Sequence, residues 1–321
     1  MIVITGAAGF IASRLAARLN ELGEEDLLLV DDFSRRDKEA NYRKLKYRAL
    51  VDREAYLKKL EAFIRPDVVF HLGARTDTTE KDEAIFAHLN VGYSKRIWQY
   101  CVEQQIPLIY ASSAATYGLG EHGYRDENEL AEVLQPLNPY GRSKNDFDKW
   151  ALRQEKAPPS WVGVKFFNVY GPNEYHKGRM ASVVFHAFRQ IQQTGGMKLF
   201  RSHREDVRDG QQKRDFIYVE DVVDVLLFLA QARQLESGLY NLGTGIARSF
   251  WDLATAVFRA LDKPANISFI DTPEDIRNTY QYYTRAEMDK LRAAGYEREF
   301  TSLEEGIRDY VQRFLLAQQQ L

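Results

Sequence analysis

The stretch Ile4–Ala12, ITGAAGFIA, limits what this chain can fold into more than any other. A short β-branched run, Met1–Thr5, meets a glycine-rich turn, and the turn leads directly into a helical pattern. That helix is expected over Ser13–Glu21, with Leu15, Ala16 and Leu19 on one side, and should stop near Gly23. Between a strand and a helix, GxxGxxA reads as a dinucleotide-binding fingerprint. Gly6 permits the tight turn, Gly9 lets the backbone approach a pyrophosphate at the positive helix end, and Ala12 keeps the packing position small.

The alternation continues downstream. Leu27–Val30 reads as a strand ending at Asp31-Asp32, and a charged stretch, SRRDKEANYRKLK, separates it from a third strand around Tyr47–Leu50. A helix over Asp52–Phe63, the strand DVVFHLGA after Pro66, a helix over Asn90–Gln104 and the strand LIYASSA after Pro107 follow. Another helix begins near Tyr140 and leads to a strand at Trp161–Phe167. This order predicts an α/β chain with a Rossmann-type doubly wound parallel sheet.

Beyond Gly171 the pattern loosens. GLYNLGT, NISFI and a late helix at Leu303–Phe314 are assigned to a smaller mixed α/β portion that binds substrate, and the tail LLAQQQL to the end of the last helix. Residues 1–170 are thus expected to form mainly the NAD(P)-binding domain and 171–321 mainly the substrate portion. RDFIYVEDVVDVLLFLAQA returns a segment near 214–240 to the main layer.

Charge narrows the partners. With Lys+Arg 44 against Asp+Glu 46 there is no nucleic-acid footprint, and no run of 18 apolar residues suggests a membrane span. The single Cys101 excludes an intrachain disulfide and a cysteine-rich metal site, so no metal is expected. MIVITGAAGF lacks a basic leader, which points to a cytoplasmic enzyme.

Residues of chemical interest gather in four places. Asp31 stands where a carboxylate would accept hydrogen bonds from an adenosine ribose, while Arg35, Arg36, Lys38 and Arg53 could neutralise a 2′-phosphate. NPYGRSK sets Tyr140 one helical turn before Lys144, whose charge would favour the phenolate and create an acid/base. In NEYHKG, Lys177 could act as a second acid/base, bind a phosphate or the cofactor, or lie on the surface. Arg214 in KRDFIYVEDV suits a diphosphate, Asp221 a local cap, and Asp215 and Asp224 structural roles.

GxxGxxA together with YxxxK resembles the extended short-chain dehydrogenase/reductase group. By register with that group, Ser113 in YASSAATYG completes the site, and Gly73 and Ala74 line the cofactor; His71 is read as a packing residue. More specifically, ITGAAGFI, YASSAATYG, FNVYGPNEYHKGRMASVVFH, KRDFIYVEDV, YNLGTGIARSF and LRAAGY resemble bacterial ADP-L-glycero-D-manno-heptose 6-epimerases over about residues 1–310.

The resemblance implies transient oxidation at C6 of the heptose and return of hydride to the opposite face. It implies Tyr140 and Lys177 as the two acid/base groups, with Lys144 orienting the cofactor and Ser113 binding substrate. Asn168, His186, Arg214 and Tyr280 would contact the nucleotide sugar, as would Arg179 if it reaches the phosphates. Phe10, Ile11, Asp31, Asp32, Lys38, Arg53, Asn90 and Val169 would serve the cofactor, alongside Gly6, Gly9, Tyr140, Lys144 and Lys177. NADP is the implied cofactor, with NAD possible, and the implied assembly is a homo-oligomer acting on ADP-heptose or a related nucleotide sugar.

Several positions depart from that pattern. Asp32 replaces an Asn beside the 2′-phosphate position, Leu72 and Arg75 replace a Glu and a small residue, and Arg179 replaces a Ser. The stretch His203–Gln212 is long and charged, which suits either a rim loop or an assembly feature. Alternatives are another nucleotide-sugar epimerase, such as a C4-epimerase, or a non-catalytic NAD(P)-sensing protein. A dehydratase is disfavoured because Ala114 and Ala115 stand where its acid/base carboxylate belongs.

Overall fold

The computed structural model describes residues 1–60, 64–232, 235–277 and 279–317. Its first half contains β1 (Ile2–Thr5), α1 (Phe10–Glu21), β2 (Leu27–Asp31), β3 (Ala49–Asp52), α2 (Arg53–Lys58) and β4 (Val68–His71). Then come α3 (Glu83–Phe86), α4 (Tyr93–Glu103), β5 (Leu108–Ser113), α5 (Pro139–Leu152), β6 (Trp161–Phe166) and β7 (Asn168–Tyr170). The second half adds α6 (Val183–Thr194), β8 (Met197–Phe200), β9 (Lys213–Tyr218), α7 (Val219–Gln231), β10 (Gly238–Leu242) and β11 (Ala247–Ser249). It closes with α8 (Phe250–Ala260), β12 (Ile267–Ile270), α9 (Glu274–Arg277), α10 (Asp289–Ala293) and α11 (Leu303–Asp309).

Seven parallel strands form the main sheet in the order β10-β6-β5-β4-β1-β2-β3. Its strands are apolar on successive residues because both faces are covered. Ile4, Leu27, Leu29 and Phe70 point into a core shared with α1 and α7, which supply Leu15, Val222 and Leu226. Val3, Leu28, Val30 and Val69 point the other way, toward Tyr56, Ile97, Trp98 and Phe147 of α2, α4 and α5. A third core joins α6, α8 and α11 through Val184, Leu253, Val257 and Ile307, beside the small sheets β11-β9-β7 and β12-β8. No helix among the described residues is long and apolar enough to cross a membrane.

Some boundaries differ from the sequence expectation. The third strand spans Ala49–Asp52, later than expected, because its register sets Ala49 against Leu28 and Asp52 against Asp31. Asp52 then caps α2 by accepting from Glu54 and Ala55 N–H, and the expected residues 61–63 of this helix lie outside the described residues. The helix expected from Asn90 begins at Glu83, where Asp82 caps it, and passes through a π-turn at Ala87–Gly92. GLYNL, expected in the smaller portion, is β10 and pairs with β6 in the main sheet; all five residues are buried. α11 starts at a reciprocal Ser302–Glu305 cap and ends in a π-turn at Tyr310–Leu315, while residues 318–321 of the expected helical tail lie outside the described residues.

Candidate active site

The sheet order reverses direction between β1 and β4, and the loops after these strands touch at their C-terminal ends. Gly6 adopts φ +70° there, and a Cβ on it would stand 2.5 Å from Gly73 Cα. The close approach therefore excludes a side chain at Gly6. Gly9 N–H donates to Gly6 O at 2.7 Å, and Gly9 starts α1 without a side-chain cap or an acidic residue in the first turn. A 12-residue helix thus aims its N-terminal dipole and N–H groups at the crevice, a good fit for a dinucleotide pyrophosphate.

Carboxylates and cations pair beyond the end of β2. The Asp31 carboxylate accepts from Ala8 N–H at 2.9 Å, Asp32 N–H at 2.7 Å and Lys38 Nζ at 3.1 Å. Asp32 accepts from the Ser34 hydroxyl and N–H; these bonds, with nearby Arg53 and Lys38, hold its carboxyl below the usual range. Arg35 pairs with Asp37, and Arg53 keeps a half-exposed side chain 3.7 Å from Glu54. Phe10 and Ile11 open α1, Ala74 follows Gly73, and Val169 lies half-buried in β7. Buried Asn90 braces the loop after β4: its Oδ1 accepts from Arg75 N–H at 2.8 Å, and its Nδ2 donates to Ser143 Oγ at 2.9 Å on α5. His71 is locked between Thr5 Oγ1 and Ser94 Oγ, and burial pulls its pKa down to about 3, so it is neutral.

A second cluster stands at the end of β5. Asn138 Oδ1 caps α5 by accepting from Gly141 N–H at 2.8 Å, with Pro139 in the first turn, and this start sets Tyr140 facing Ser113. Burial pushes the Tyr140 phenol above its ordinary value, while a hydrogen bond with the Ser113 side chain works the other way. Lys144 follows one helical turn after Tyr140 on α5. Its Nζ donates to Ala111 O on β5 at 2.7 Å. Burial lowers its pKa to about 8, opposed by the charge of Asp148.

Behind Lys144 lies a feature that the sequence reading missed. Asp148, fully buried, accepts from Ser112 Oγ at 2.6 Å, Tyr110 OH at 3.1 Å and Lys165 Nζ at 2.8 Å. Lys165 also donates to Thr116 Oγ1 at 2.8 Å. The available signal was periodicity: Tyr140, Lys144 and Asp148 are spaced four apart on one face of a helix.

Lys177 lies in a 3₁₀ turn, Tyr175–Met180, broken at Gly178 with φ 54°. Glu174 ties the turn's base together by accepting from Gly171 N–H at 3.3 Å, Ser182 Oγ at 2.7 Å and Ser182 N–H. Burial lowers the Lys177 pKa, and the Glu174 charge opposes it. The ammonium stands 5.4 Å from the Phe10 ring centroid, at the start of the glycine-loop helix.

The remaining residues divide. Arg214 is buried, its guanidinium 5.5 Å from the ring centroids of both Phe250 and Tyr280. Tyr280 meets Phe200 and Tyr282 edge-on, and with His203, Arg204 and Arg277 these tyrosines line a cavity of about 340 Å³. The long charged stretch thus enters this cavity at its first residues; Arg204 stacks 5.0 Å from the Tyr282 ring. Asn168 is exposed on β7, and exposed His186 on α6 has its ring Nε2 3.3 Å from Arg179 O. Arg179 is exposed and turns its guanidinium to Asp77 and Thr79 in the loop after β4. Asp215 accepts from Thr244, Gly245 and Ala286 N–H groups, and Asp221 from Thr301, so both organise loops.

The model of the NAD dependent epimerase/dehydratase family matches residues 2–243. An ADP-L-glycero-D-manno-heptose-6-epimerase from Fusobacterium nucleatum is 48% identical over 326 residues, covering 98% of each chain. One from Nitratidesulfovibrio vulgaris is 46% identical over 320 residues, covering 99% of this chain and 98% of that protein. The crystal structure of the Helicobacter pylori ADP-L-glycero-D-manno-heptose-6-epimerase superposes with a TM-score of 0.80 at 28% identity, over 97% of this chain and 95% of that one.

Proposed function

The chain belongs to the NAD dependent epimerase/dehydratase family, and we infer that it inverts C6 of ADP-D-glycero-D-manno-heptose to give the L-glycero epimer. It is an NAD(P)-dependent nucleotide-sugar epimerase. The sugar is read from the heptose epimerases that it matches over nearly all its length. The observation that carries the chemistry is the meeting of Ser113, at the end of β5, with Tyr140 and the buried, Ala111-bound Lys144 of α5 at the C-terminal edge of the parallel sheet.

Bound NAD(P) supplies the hydride acceptor and donor for a transient oxidation at C6. Tyr140, ionised, takes the proton of the C6 hydroxyl while the carbonyl forms; when hydride returns to the opposite face the C6 oxygen takes its proton from Lys177, and both groups exchange protons with water between turnovers. Ser113 donates to the phenolate or to the substrate oxygen. Lys144, pinned by Ala111 O, holds a positive charge near the reacting oxygen and gives the nicotinamide ribose a donor. Lys177 serves as the proton station for the other face of C6. Arg214, held between Phe250 and Tyr280, grips the diphosphate, and the cavity lined by Tyr280, Tyr282 and His203 receives the nucleoside.

NADP is favoured over NAD in this reading, because Lys38 and Arg53 flank the ribose end; Asp32 works against it. A cytoplasmic homo-oligomer completes the proposal, and sedimentation of the purified protein tests the assembly.

The deciding experiment follows both C6 epimers by NMR, using ADP-D-glycero-D-manno-heptose and purified protein. Conversion without net redox product is expected. Tyr140→Phe and Lys177→Met should each lower turnover by about 10²–10⁴-fold with cofactor binding retained. Full activity in Lys177→Met would remove it as an acid/base.

A further inference from the structure

The turn that presents Lys177 packs on the substrate side through Tyr175, whose ring meets Phe185. Its polar anchors point elsewhere. Asn41, 3% exposed, directs its Nδ2 at Ala8 O at 3.0 Å, Asn173 O at 3.0 Å and His176 Nδ1 at 3.2 Å. Ala8 belongs to the glycine turn; Asn173 and His176 lie in the chain just before Lys177, His176 as its neighbour. One side-chain amide therefore bridges the dinucleotide loop and the Lys177 turn.

Two further contacts follow the same line. Asn173, buried at φ +75°, donates from its Nδ2 to Ser13 Oγ of α1 at 2.9 Å. Ser13 Oγ in turn donates to Phe10 O at 3.0 Å, and the Phe10 ring carries the Lys177 ammonium. On the other side of Ala8, its N–H is held by Asp31, which is held by Lys38. Contacts thus run without a gap from the ribose-end charges through two adjacent peptides of the glycine turn to Lys177.

The bond to His176 needs Nδ1 as an acceptor, because a side-chain amide nitrogen can only donate. That condition is met at neutral pH: burial, with the charges of Lys38, Lys177 and Arg35, pulls the His176 pKa down to about 4.

We propose that Asn41 is a positioning residue that registers the Lys177 turn against the dinucleotide loop, so that cofactor binding and the placement of Lys177 are coupled through one amide. The proposal rests on the reading of Lys177 as the second acid/base. Coupling of this kind is reciprocal: whatever loosens the turn weakens the cofactor, and the reverse.

Asn41→Asp keeps the shape and replaces the donor with a carboxylate facing two carbonyl oxygens. Should that variant fail to fold, Asn41→Ser, smaller and neutral, is measured in the same way. Amide hydrogen exchange over residues 171–182 is expected to accelerate about tenfold, with and without NAD(P), and cofactor affinity to fall by a similar factor. At saturating cofactor kcat should fall with KM nearly unchanged, and adding the substitution to Lys177→Met should cause no further loss of kcat. Unchanged exchange over 171–182, or losses that multiply in the double variant, would overturn the proposal. If Lys177→Met retains full turnover, the acid/base reading falls by itself, and exchange and cofactor affinity alone decide the role of Asn41.

Discussion

Lys144 shows what a single buried charge costs the fold. Its amine is buried and, among the described residues, donates to a carbonyl oxygen, so holding the charge is costly. The folded pKa is about 8 against an ordinary 10.5, which corresponds to roughly 3 kcal/mol of destabilisation at pH 7. The sign follows from proton counting. The unfolded chain binds more protons between the two values, so the penalty is full below pH 8 and lifts as pH rises toward 10.5. Lys144→Met should therefore melt at a higher temperature than the wild type at pH 7, by several degrees, with the gap closing by pH 10.5. It should also lose turnover; calorimetry across that pH range checks the first part. That Tyr140 and Lys144 share one helix was legible because four-residue spacing on a helix is a local rule. Asn41 was not, because its partners lie more than 130 positions away (Asn173 and His176) or in a turn on another strand. No spacing in the sequence announces such a contact.

Among the elements, α5, β5 and β6 are fastened together by one buried ion pair. Asp148 on α5 and Lys165 on β6 have almost no exposure, and Ser112 and Tyr110 of β5 complete the ring of donors. Removing one charge strands the other in a dry interior. Asp148→Asn or Lys165→Met alone should cost about 3–5 kcal/mol, whereas Asp148→Leu combined with Lys165→Met should recover much of that loss. Urea midpoints of the three variants measure it; a loss in the double variant equal to the sum of the two single losses would show that the pair is not coupled. The sequence revealed that these three elements exist, since strong apolar runs and the Asn138-Pro139 start signal are local. It did not reveal the pair, because Lys165 reads as the polar interruption of an otherwise apolar strand. Boundaries failed where a cap or a register decided them, as at Asp82 and Ala49.

At the scale of the whole molecule the cores do not divide where the chain appears to. Ile4, Leu15 and Leu29 share one core with Ile217, Val222, Leu229 and Leu291. Melting is accordingly expected as a single cooperative transition. Removing bound NAD(P) should lower it as a whole by about 5 °C, the equivalent of ligand held at roughly a hundred times its dissociation constant. Two separate transitions, with only the earlier one moved by the cofactor, would contradict this. The parallel sheet was readable from alternating strands and helices, but not the return of β10, which depends on a pairing across more than 70 residues with β6.

That late return matters while the chain is being made. β6 leaves the ribosome well before residues 238–242, and until they arrive it bounds the sheet with an unpaired row of backbone donors and acceptors. A nascent chain paused near residue 230 would present a flat, apolar edge to its neighbours. A truncation in this interval is expected to produce inclusion bodies rather than a smaller working domain.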